Sequence, residues 1–198
     1  MQSDIELKQF SVGDYNNNVY ILVDPVSKES VLFDAPFDAK RILEALEGTT
    51  PRYILMTHTD FDHVQALEEV KGAVGVPVAV HPLDAGGMPI PPDLDLHDGD
   101  SVRFGNVELR AIHTPGHTPG SMCFVTGNVL IAGDTLFPGG PGSKSGQLSK
   151  VEFDQLIQSI QLKLFPLSDE TIVYPGHGDS TTIGAERPHL QEWIDRGW

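Results

Sequence analysis

The residues Thr57-His58-Thr59-Asp60-Phe61-Asp62-His63 come directly after the apolar run Tyr53-Ile54-Leu55-Met56. A predicted buried strand therefore ends in two imidazoles and two carboxylates. Asp and His compete poorly for core positions, and carboxylates this close repel each other unless a cation lies between them. Nitrogen and carboxylate ligands together suit zinc, iron or manganese better than calcium or magnesium. The stretch predicts the core of a metal site.

Three further predicted strands end in the same way, with polar residues and glycine. The segments that follow them are His113 to Gly120, Gly133-Asp134-Thr135 and Pro175-Gly176-His177-Gly178. Strand ends at one rim of a sheet hold side chains precisely, and adjacent glycines let the backbone approach closely. We therefore expect ligands from these segments to converge at one place.

The motifs THTDFDH, TPGHTPGS, GDTLF and PGHG occur in this order and resemble the signature set of the metallo-β-lactamase-fold hydrolases, most closely the glyoxalase II-like (hydroxyacylglutathione hydrolase-like) branch. The resemblance covers most of the chain. It implies an α+β fold, a four-layer αββα sandwich of two mixed β-sheets flanked by helices, with a binuclear metal site at one edge. It also implies that the first metal is held by His58, Asp60 and His117, the second by Asp62, His63 and His177, and that Asp134 bridges them.

Position 60 departs from the family's usual motif, which has His where this chain has Asp60. A carboxylate there keeps a donor within reach and hardens the first site, which favours iron or manganese relative to zinc. Alternatively, Asp60 is a lost ligand that leaves the first site weak. The expected cofactors are two divalent metal ions, zinc first, with iron or manganese as alternatives.

The expected chemistry follows from the charge of the metals. Two cations ~3.5–4 Å apart bring the pKa of a bound water toward 7. We expect the resulting hydroxide to attack a small ester-like substrate, a thioester first, while a metal takes up charge on oxygen. Asp62 is the predicted catalytic residue, because a ligating carboxylate can also accept the proton of the nucleophile.

Two other functions remain open on the sequence. His58, His117 and Asp134 form a 2-His-1-carboxylate set that suits mononuclear iron, and the persulfide dioxygenases of the superfamily resemble this arrangement. The alternative without catalysis is a metal-binding or sensor protein whose site is impaired by Asp60.

Length, charge and composition limit which domains, partners and cellular locations are expected. At 198 residues the chain suits a single domain spanning 1–198, and with few residues after His177 we expect no helical glutathione-recognition domain like that of full-length glyoxalase II. A net charge of −15 argues against nucleic acid or an anionic membrane as partner, so a small-molecule substrate is expected. One cysteine, no signal peptide and no apolar run near ~20 residues favour a cytoplasmic location. The oligomeric state stays open.

Three residues outside the motifs have two interpretations each. Asp34 either supports the metal loop, as the resemblance implies, or is a turn residue before Pro36. His113 either orients His117 or makes an ordinary hydrogen bond at a strand end. Lys144, in the glycine-rich segment, either meets an anionic substrate or is solvated.

Hydrophobic periodicity and turn residues predict ten strands and four helices. The predicted strands are 5–12, 18–24, 30–34, 52–56, 76–80, 101–104, 107–112, 121–125, 128–132 and 171–174. The predicted helices are 38–46, 63–71, 153–164 and 185–195. The pairs Gly105-Asn106 and Gly127-Asn128 predict hairpin turns.

Overall fold

Alternating strands and helices build a first sheet from the N-terminal half of the chain. The computed structural model describes residues 5–142 and 147–197. Six strands lie in sequence order. The second strand is antiparallel to both the first and the third, and the third to the sixth strands are parallel to one another. In chain order the elements are β1 (Glu6–Val12), β2 (Asn17–Val23), β3 (Glu29–Phe33), α1 (Ala39–Leu46), β4 (Thr50–Leu55), α2 (Phe61–Val64), α3 (Leu67–Val74), β5 (Val78–Val80) and β6 (Leu94–Asp95), with a 3-10 turn at Ala85–Gly87 before β6.

The C-terminal half forms a second six-stranded sheet in the order β14-β13-β10-β9-β8-β7, in which only β10 and β13 pair in parallel. The elements are β7 (Ser101–Phe104), β8 (Val107–His113), β9 (Met122–Thr126), β10 (Val129–Gly133), the small hairpin β11 (Leu136–Phe137) and β12 (Gly140–Pro141), α4 (Lys150–Ser159), β13 (Ile172–Pro175), β14 (Thr181–Thr182), α5 (Ile183–Glu186) and α6 (Leu190–Arg196).

The two sheets pack face to face, and strand β2 shows why. All seven of its residues are buried, as expected for a strand covered on both sides. Val19 and Ile21 face the helices on the outside of the first sheet, whereas Tyr20 and Leu22 join the core between the sheets. A third core lies between the second sheet and α4 to α6 and includes Trp193. The predicted four-layer αββα sandwich is confirmed.

The helix boundaries differ from the prediction for identifiable reasons. α4 begins at Lys150 rather than at Phe153, because Ser149 and Glu152 form a capping box, and it continues as a π-helix over Ile160–Leu164. The predicted helix 63–71 is two helices, α2 and α3. The predicted helix 185–195 is interrupted by a 3-10 turn at Arg187–His189, where Pro188 breaks the α-helical pattern.

The strands that the sequence did not predict are short. β6, β11, β12 and β14 each have two residues, which is too short for a pattern of alternation to register. Both predicted hairpins are confirmed, with Gly105 and Gly127 at φ +52° and +58°. Within the described residues, no helix has the length and apolar character required to cross a membrane.

Candidate metal centre

Four histidines reach one rim of the sandwich from the ends of different strands. His58 follows β4, His117 follows β8, and His177 follows β13, while His63 lies on α2. In each ring Nδ1 has a hydrogen-bond partner, which directs Nε2 toward the centre of the site. The partners are Thr57 Oγ1 for His58 (3.0 Å), Asp34 Oδ2 for His63 (3.0 Å), the Gly142 carbonyl for His117 (2.7 Å) and the Tyr15 carbonyl for His177 (3.0 Å).

Asp34 holds in place the loop that carries His58 and His63. It lies at the end of β3 with φ 56° and is buried. Its carboxylate accepts hydrogen bonds from the Thr57 amide (2.7 Å), the Thr57 hydroxyl (2.7 Å) and the His63 ring (3.0 Å). Of the two interpretations of Asp34, the supporting partner is therefore the one observed.

The predicted ligands form two groups. In the first, one ligand atom each of His58, Asp60 and His117 lies within 4.8 Å of the others, with 3.2 Å between Asp60 Oδ2 and His117 Nε2. In the second, the same holds for Asp62, His63 and His177, with 3.3 Å between Asp62 Oδ2 and His177 Nε2.

Asp134 lies between the two groups. Its Oδ1 is 3.6 Å from His63 Nε2, and its Oδ2 is 3.7 Å from His117 Nε2 and 3.5 Å from His177 Nε2. One carboxylate thus faces a histidine of the first group and two of the second, which is the placement a bridging ligand needs. All seven residues proposed as ligands meet at this rim.

Unpaired buried atoms test whether a cation fits here. His58 Nε2, His63 Nε2 and Asp134 Oδ1 are buried without a hydrogen-bond partner. A buried polar atom left unpaired costs about 1–3 kcal/mol. Divalent cations bound by the two groups would give all three atoms a partner, and a set of imidazoles and carboxylates suits zinc, iron or manganese. The residues present fit the metals.

The pKa values of the buried groups at the centre also favour a bound cation. Burial and the neighbouring His63 ring hold the pKa of His58 well below its ordinary value. Burial also acts to lower the pKa of His63, but the carboxylates of Asp134 and Asp34 outweigh it and raise that pKa to about 9. Burial acts to raise the pKa of Asp134, but His63 and His177 outweigh it and hold the pKa far below its usual range. A metal would replace the proton on His63.

The first residue of β2 belongs to the site, although the sequence analysis did not single it out. Asn17 is fully buried and donates from Nδ2 to Asp62 Oδ2 (2.8 Å). Its neighbour Asn18 donates to the carbonyls of Pro175 (3.1 Å) and Gly178 (2.8 Å), on either side of His177. Asn17 and Asn18 lie where the predicted strands 5–12 and 18–24 approach each other, and nothing local indicates that they meet a loop about 160 residues away.

A second missed residue, Asp84, holds the loop that carries His117. This buried carboxylate accepts from the Thr118 hydroxyl (2.6 Å) and the Gly120 amide (2.7 Å). His113 does not take the orienting role: its Nε2 bonds the Pro119 carbonyl (2.9 Å) and its ring stacks on His81. The Gly142 carbonyl orients His117 instead.

Glycine is required at one position beside the centre. A Cβ on Gly176 would collide with Asp134 Oδ1 and would lie 2.9 Å from His63 Cε1. The PGHG motif thus reflects the close approach of backbone to two ligand side chains.

The centre opens into a cavity of about 660 Å³. Asp60, Asp62 and Asp134 lie on its floor, together with His117 and His177. Its walls include Tyr15 from the β1–β2 turn, residues 137–142 of the β11–β12 hairpin, and Arg196 at the end of α6. Lys144 lies outside the described residues.

Comparison with known proteins agrees with this geometry. Residues 12–177 match the metallo-β-lactamase superfamily. The chain belongs to that superfamily. Among relatives, a probable metallo-hydrolase of Bacillus subtilis is 31% identical, with 91% of this chain and 93% of the relative aligned. A hydroxyacylglutathione hydrolase of Haemophilus influenzae is 29% identical, with 89% and 92% aligned.

Solved structures show the same fold. The B3 metallo-β-lactamase BLEG-1 superposes with a TM-score of 0.83 at 33% identity, covering 93% of this chain and 98% of that one. ETHE1 from Myxococcus xanthus gives 0.84 at 26% identity, covering 97% and 89%. TTHA1623, solved in a di-iron-bound form, gives 0.78 at 30% identity, covering 91% and 96%. Membership implies a metallo-hydrolase with divalent metal ions as cofactors.

Proposed function

We propose that this superfamily member is a hydrolase of small ester-like substrates, thioesters first, that works with two divalent metal ions. The first ion would be held by His58, Asp60 and His117 and the second by Asp62, His63 and His177, with Asp134 between them. The observation that carries the proposal is the arrangement of Asp134, which has unpaired buried ligand atoms of both groups around it.

The chemistry divides between the metals and the chain. When bound, divalent ions lower the pKa of a water ligand toward 7 and polarise a carbonyl. Asn17 donates to Asp62 Oδ2 (2.8 Å) and so fixes the carboxylate plane. We assign Asp62 Oδ1 to take the proton of the attacking water. The C–O bond forms, the C–S bond breaks, and the proton passes to the leaving thiolate.

The aromatic wall of the cavity supports a small organic substrate. Tyr15 is 63% exposed at the rim, and Phe137 stacks on the His177 ring with 6.5 Å between ring centroids. These surfaces would cover the apolar part of an acyl or thiol group beside the metals. We therefore propose a small-molecule partner.

A substrate panel tests this function. Metal-loaded protein is incubated with thioesters, lactones and phosphodiesters, and product is measured against free metal. We expect thioester turnover, and a loss of about 100-fold or more in kcat for Asp62→Asn. Asp154→Asn, an exposed aspartate on α4 paired with Lys150, is the matched control and should retain activity. No turnover above free metal, or full activity in Asp62→Asn, would contradict the proposal.

A mononuclear iron oxygenase is the second candidate, and the make-up of the first ligand group together with Asp134 favours it. His58, His117 and Asp134 supply two imidazoles and a carboxylate, with 5.0 Å between the two ring centroids. Hydrolysis remains first because the second group, Asp62, His63 and His177, is equally well assembled. About one iron per chain with persulfide-dependent oxygen uptake would decide for the oxygenase.

A further inference from the structure

A buried carboxyl group on α5, outside the metal cavity, has no part in the chemistry described so far. Glu186 is the last residue of α5, and only 5% of it is exposed. Its Oε2 accepts from the Gly139 amide (2.9 Å), and its Oε1 accepts from the Thr181 hydroxyl (2.6 Å). Burial of a carboxyl group costs free energy unless hydrogen bonds offset it. One of its two bonds reaches the cavity wall, because Gly139 lies in the turn of the β11–β12 hairpin.

The hairpin depends on contacts from outside for its position. Each of its strands has two residues, and a two-stranded ribbon of this length is not stable alone. Pro138 and Pro141 have no N–H to donate, and Gly139 has φ +81°, which favours glycine. At the turn, Glu186 accepts from the Gly139 amide, and Arg196 Nη2 donates to the Gly139 carbonyl (3.3 Å). Contacts from α5 and α6 therefore fix the turn.

The same hairpin contacts three of the candidate ligands. The Gly142 carbonyl, at its end, accepts from the His117 ring (2.7 Å), and the Phe137 ring stacks on His177 with 6.5 Å between centroids. Gly142 also packs against the backbone of Asp134, since a Cβ on Gly142 would collide with the Asp134 carbonyl oxygen. A displacement of the hairpin would therefore turn the His117 ring and move the aromatic wall of the cavity.

We propose that Glu186 is a positioning residue of the metal centre: it holds the turn of the β11–β12 hairpin, and the hairpin orients His117. Gly139 and Gly142 are three residues apart, so their Cα atoms lie at most ~11 Å from each other. Loss of the partner of a ligating imidazole typically lowers metal affinity or activity about 10- to 100-fold. The inference goes beyond the proposed function, because it concerns the centre itself and holds for hydrolase and oxygenase chemistry alike.

Zinc affinity and the His117 ring signal test the proposal. Glu186→Ala removes both acceptors, and we expect the zinc affinity, measured by competition with a chelator, to fall about ten-fold. In NMR spectra of the zinc-loaded, nitrogen-15-labelled protein, the Nδ1–H signal of His117 is assigned by its absence in His117→Gln. This signal should be shifted or lost in Glu186→Ala. Glu186→Met keeps most of the side-chain volume, so it creates little cavity, and should have the same effects.

Two further variants separate this role from a general loss of stability. Thr181→Val removes the other hydrogen bond of the same carboxyl group and leaves the Gly139 bond in place. It should keep the zinc affinity and the His117 signal of the wild type. Glu186→Gln still offers an acceptor to Gly139 and a donor to Thr181, so it should recover most of the loss. Wild-type affinity and an unchanged His117 signal in Glu186→Ala and Glu186→Met would overturn the proposal, as would an equal loss in Thr181→Val.

These measurements are independent of turnover. If the wild type hydrolyses no substrate, the hydrolase proposal fails, and the zinc affinity and the His117 signal still report on Glu186. If the wild type binds no zinc, amide hydrogen exchange of the metal-free protein takes their place. The Gly142 amide, which donates to the Thr135 carbonyl (3.0 Å), should then exchange about ten-fold faster in Glu186→Ala than in Thr181→Val. Equal exchange rates in the two variants would overturn the proposal.

Discussion

His58 and His63 are the side chains that most need a cation. Both are buried, and their ring centroids are 4.0 Å apart. Each Nε2 lacks a partner, whereas each Nδ1 is bonded. One metal ion in each ligand group would give the Nε2 atom of each ring the partner that it lacks.

The first prediction concerns pH in the metal-free protein. The pKa of His63 is about 9 in the folded state against 6.5 when unperturbed. Its contribution to stability is therefore fully present below pH 6.5 and is lost as the pH rises through 9, on the order of 3 kcal/mol. Urea unfolding with a chelator, repeated across this range, measures the effect. A free energy of unfolding that is flat or rises with pH would contradict it.

The second prediction concerns Asn17. Asn17→Ala removes the hydrogen bond to Asp62 Oδ2, so kcat for the best thioester should fall about 10- to 100-fold, as for other partners of ligating groups. Circular dichroism should show an intact fold. Gln9→Ala on β1, an exposed amide away from the cavity, is the control. Unchanged kcat in Asn17→Ala would mean that Asp62 needs no orientation.

The third prediction concerns the carboxylate of Asp60. It lies 3.2 Å from His117 Nε2, and this hydrogen bond lowers its pKa. If Asp60 is a ligand, Asp60→His should shift the ratio of bound iron or manganese to zinc toward zinc, because imidazole is the softer donor. Competition dialysis of both proteins against equal metal concentrations measures this ratio. The same ratio in both would show that Asp60 is not a ligand.

Loops between strands owe their shape to contacts made far along the chain. The loop with His117 is tied to Asp84, which lies before β6 in the other sheet, and the loop with His177 is tied to Asn18. The Thr57 carbonyl also accepts from the Met122 amide (2.7 Å), which joins the two metal-bearing rims. Such ties let short, glycine-rich loops hold ligands in fixed positions.

The fourth prediction follows for Asp84. Asp84→Ala leaves the Thr118 hydroxyl and the buried Gly120 amide without their acceptor, which should cost about 2–4 kcal/mol in the free energy of unfolding. Asp154→Ala removes an exposed carboxylate paired with Lys150 and should cost less than about 1 kcal/mol. Urea unfolding compares them. Equal effects would mean that the Asp84 bonds contribute little.

The resemblance of four short motifs to a known family predicted the layers, which are confirmed, and the set of candidate ligands, which the structure brings together at one rim. Continuous apolar strands such as β2 indicate burial on two faces, and histidines beside glycine at strand ends indicate a site. The roles of Asn17 and Asp84 were not predicted, because their partners, Asp62 and the 118–120 loop, are distant in the chain. Nothing in the local pattern specifies these pairs. The two-residue strands were not predicted, because a strand this short is defined by its pairing with a neighbouring strand.

Both halves of the molecule contribute to one centre. His58, Asp60, Asp62 and His63 come from the rim of the first sheet, while His117, Asp134 and His177 come from the second. Metals bound there would link the two sheets and stabilise the folded state by mass action, since the unfolded chain does not assemble this set. The site and the packing of the sandwich are therefore coupled.

Metal content measured with Asp134→Ala tests the central claim most directly. Wild-type and variant protein are loaded with zinc, freed of excess metal by dialysis and analysed for metal per chain, with circular dichroism to compare folding. We expect two ions per chain in the wild type and fewer than two in Asp134→Ala, because Asp134 faces histidines of both groups. A wild-type protein that binds no metal, or an Asp134→Ala protein that binds as much as wild type, would contradict the account.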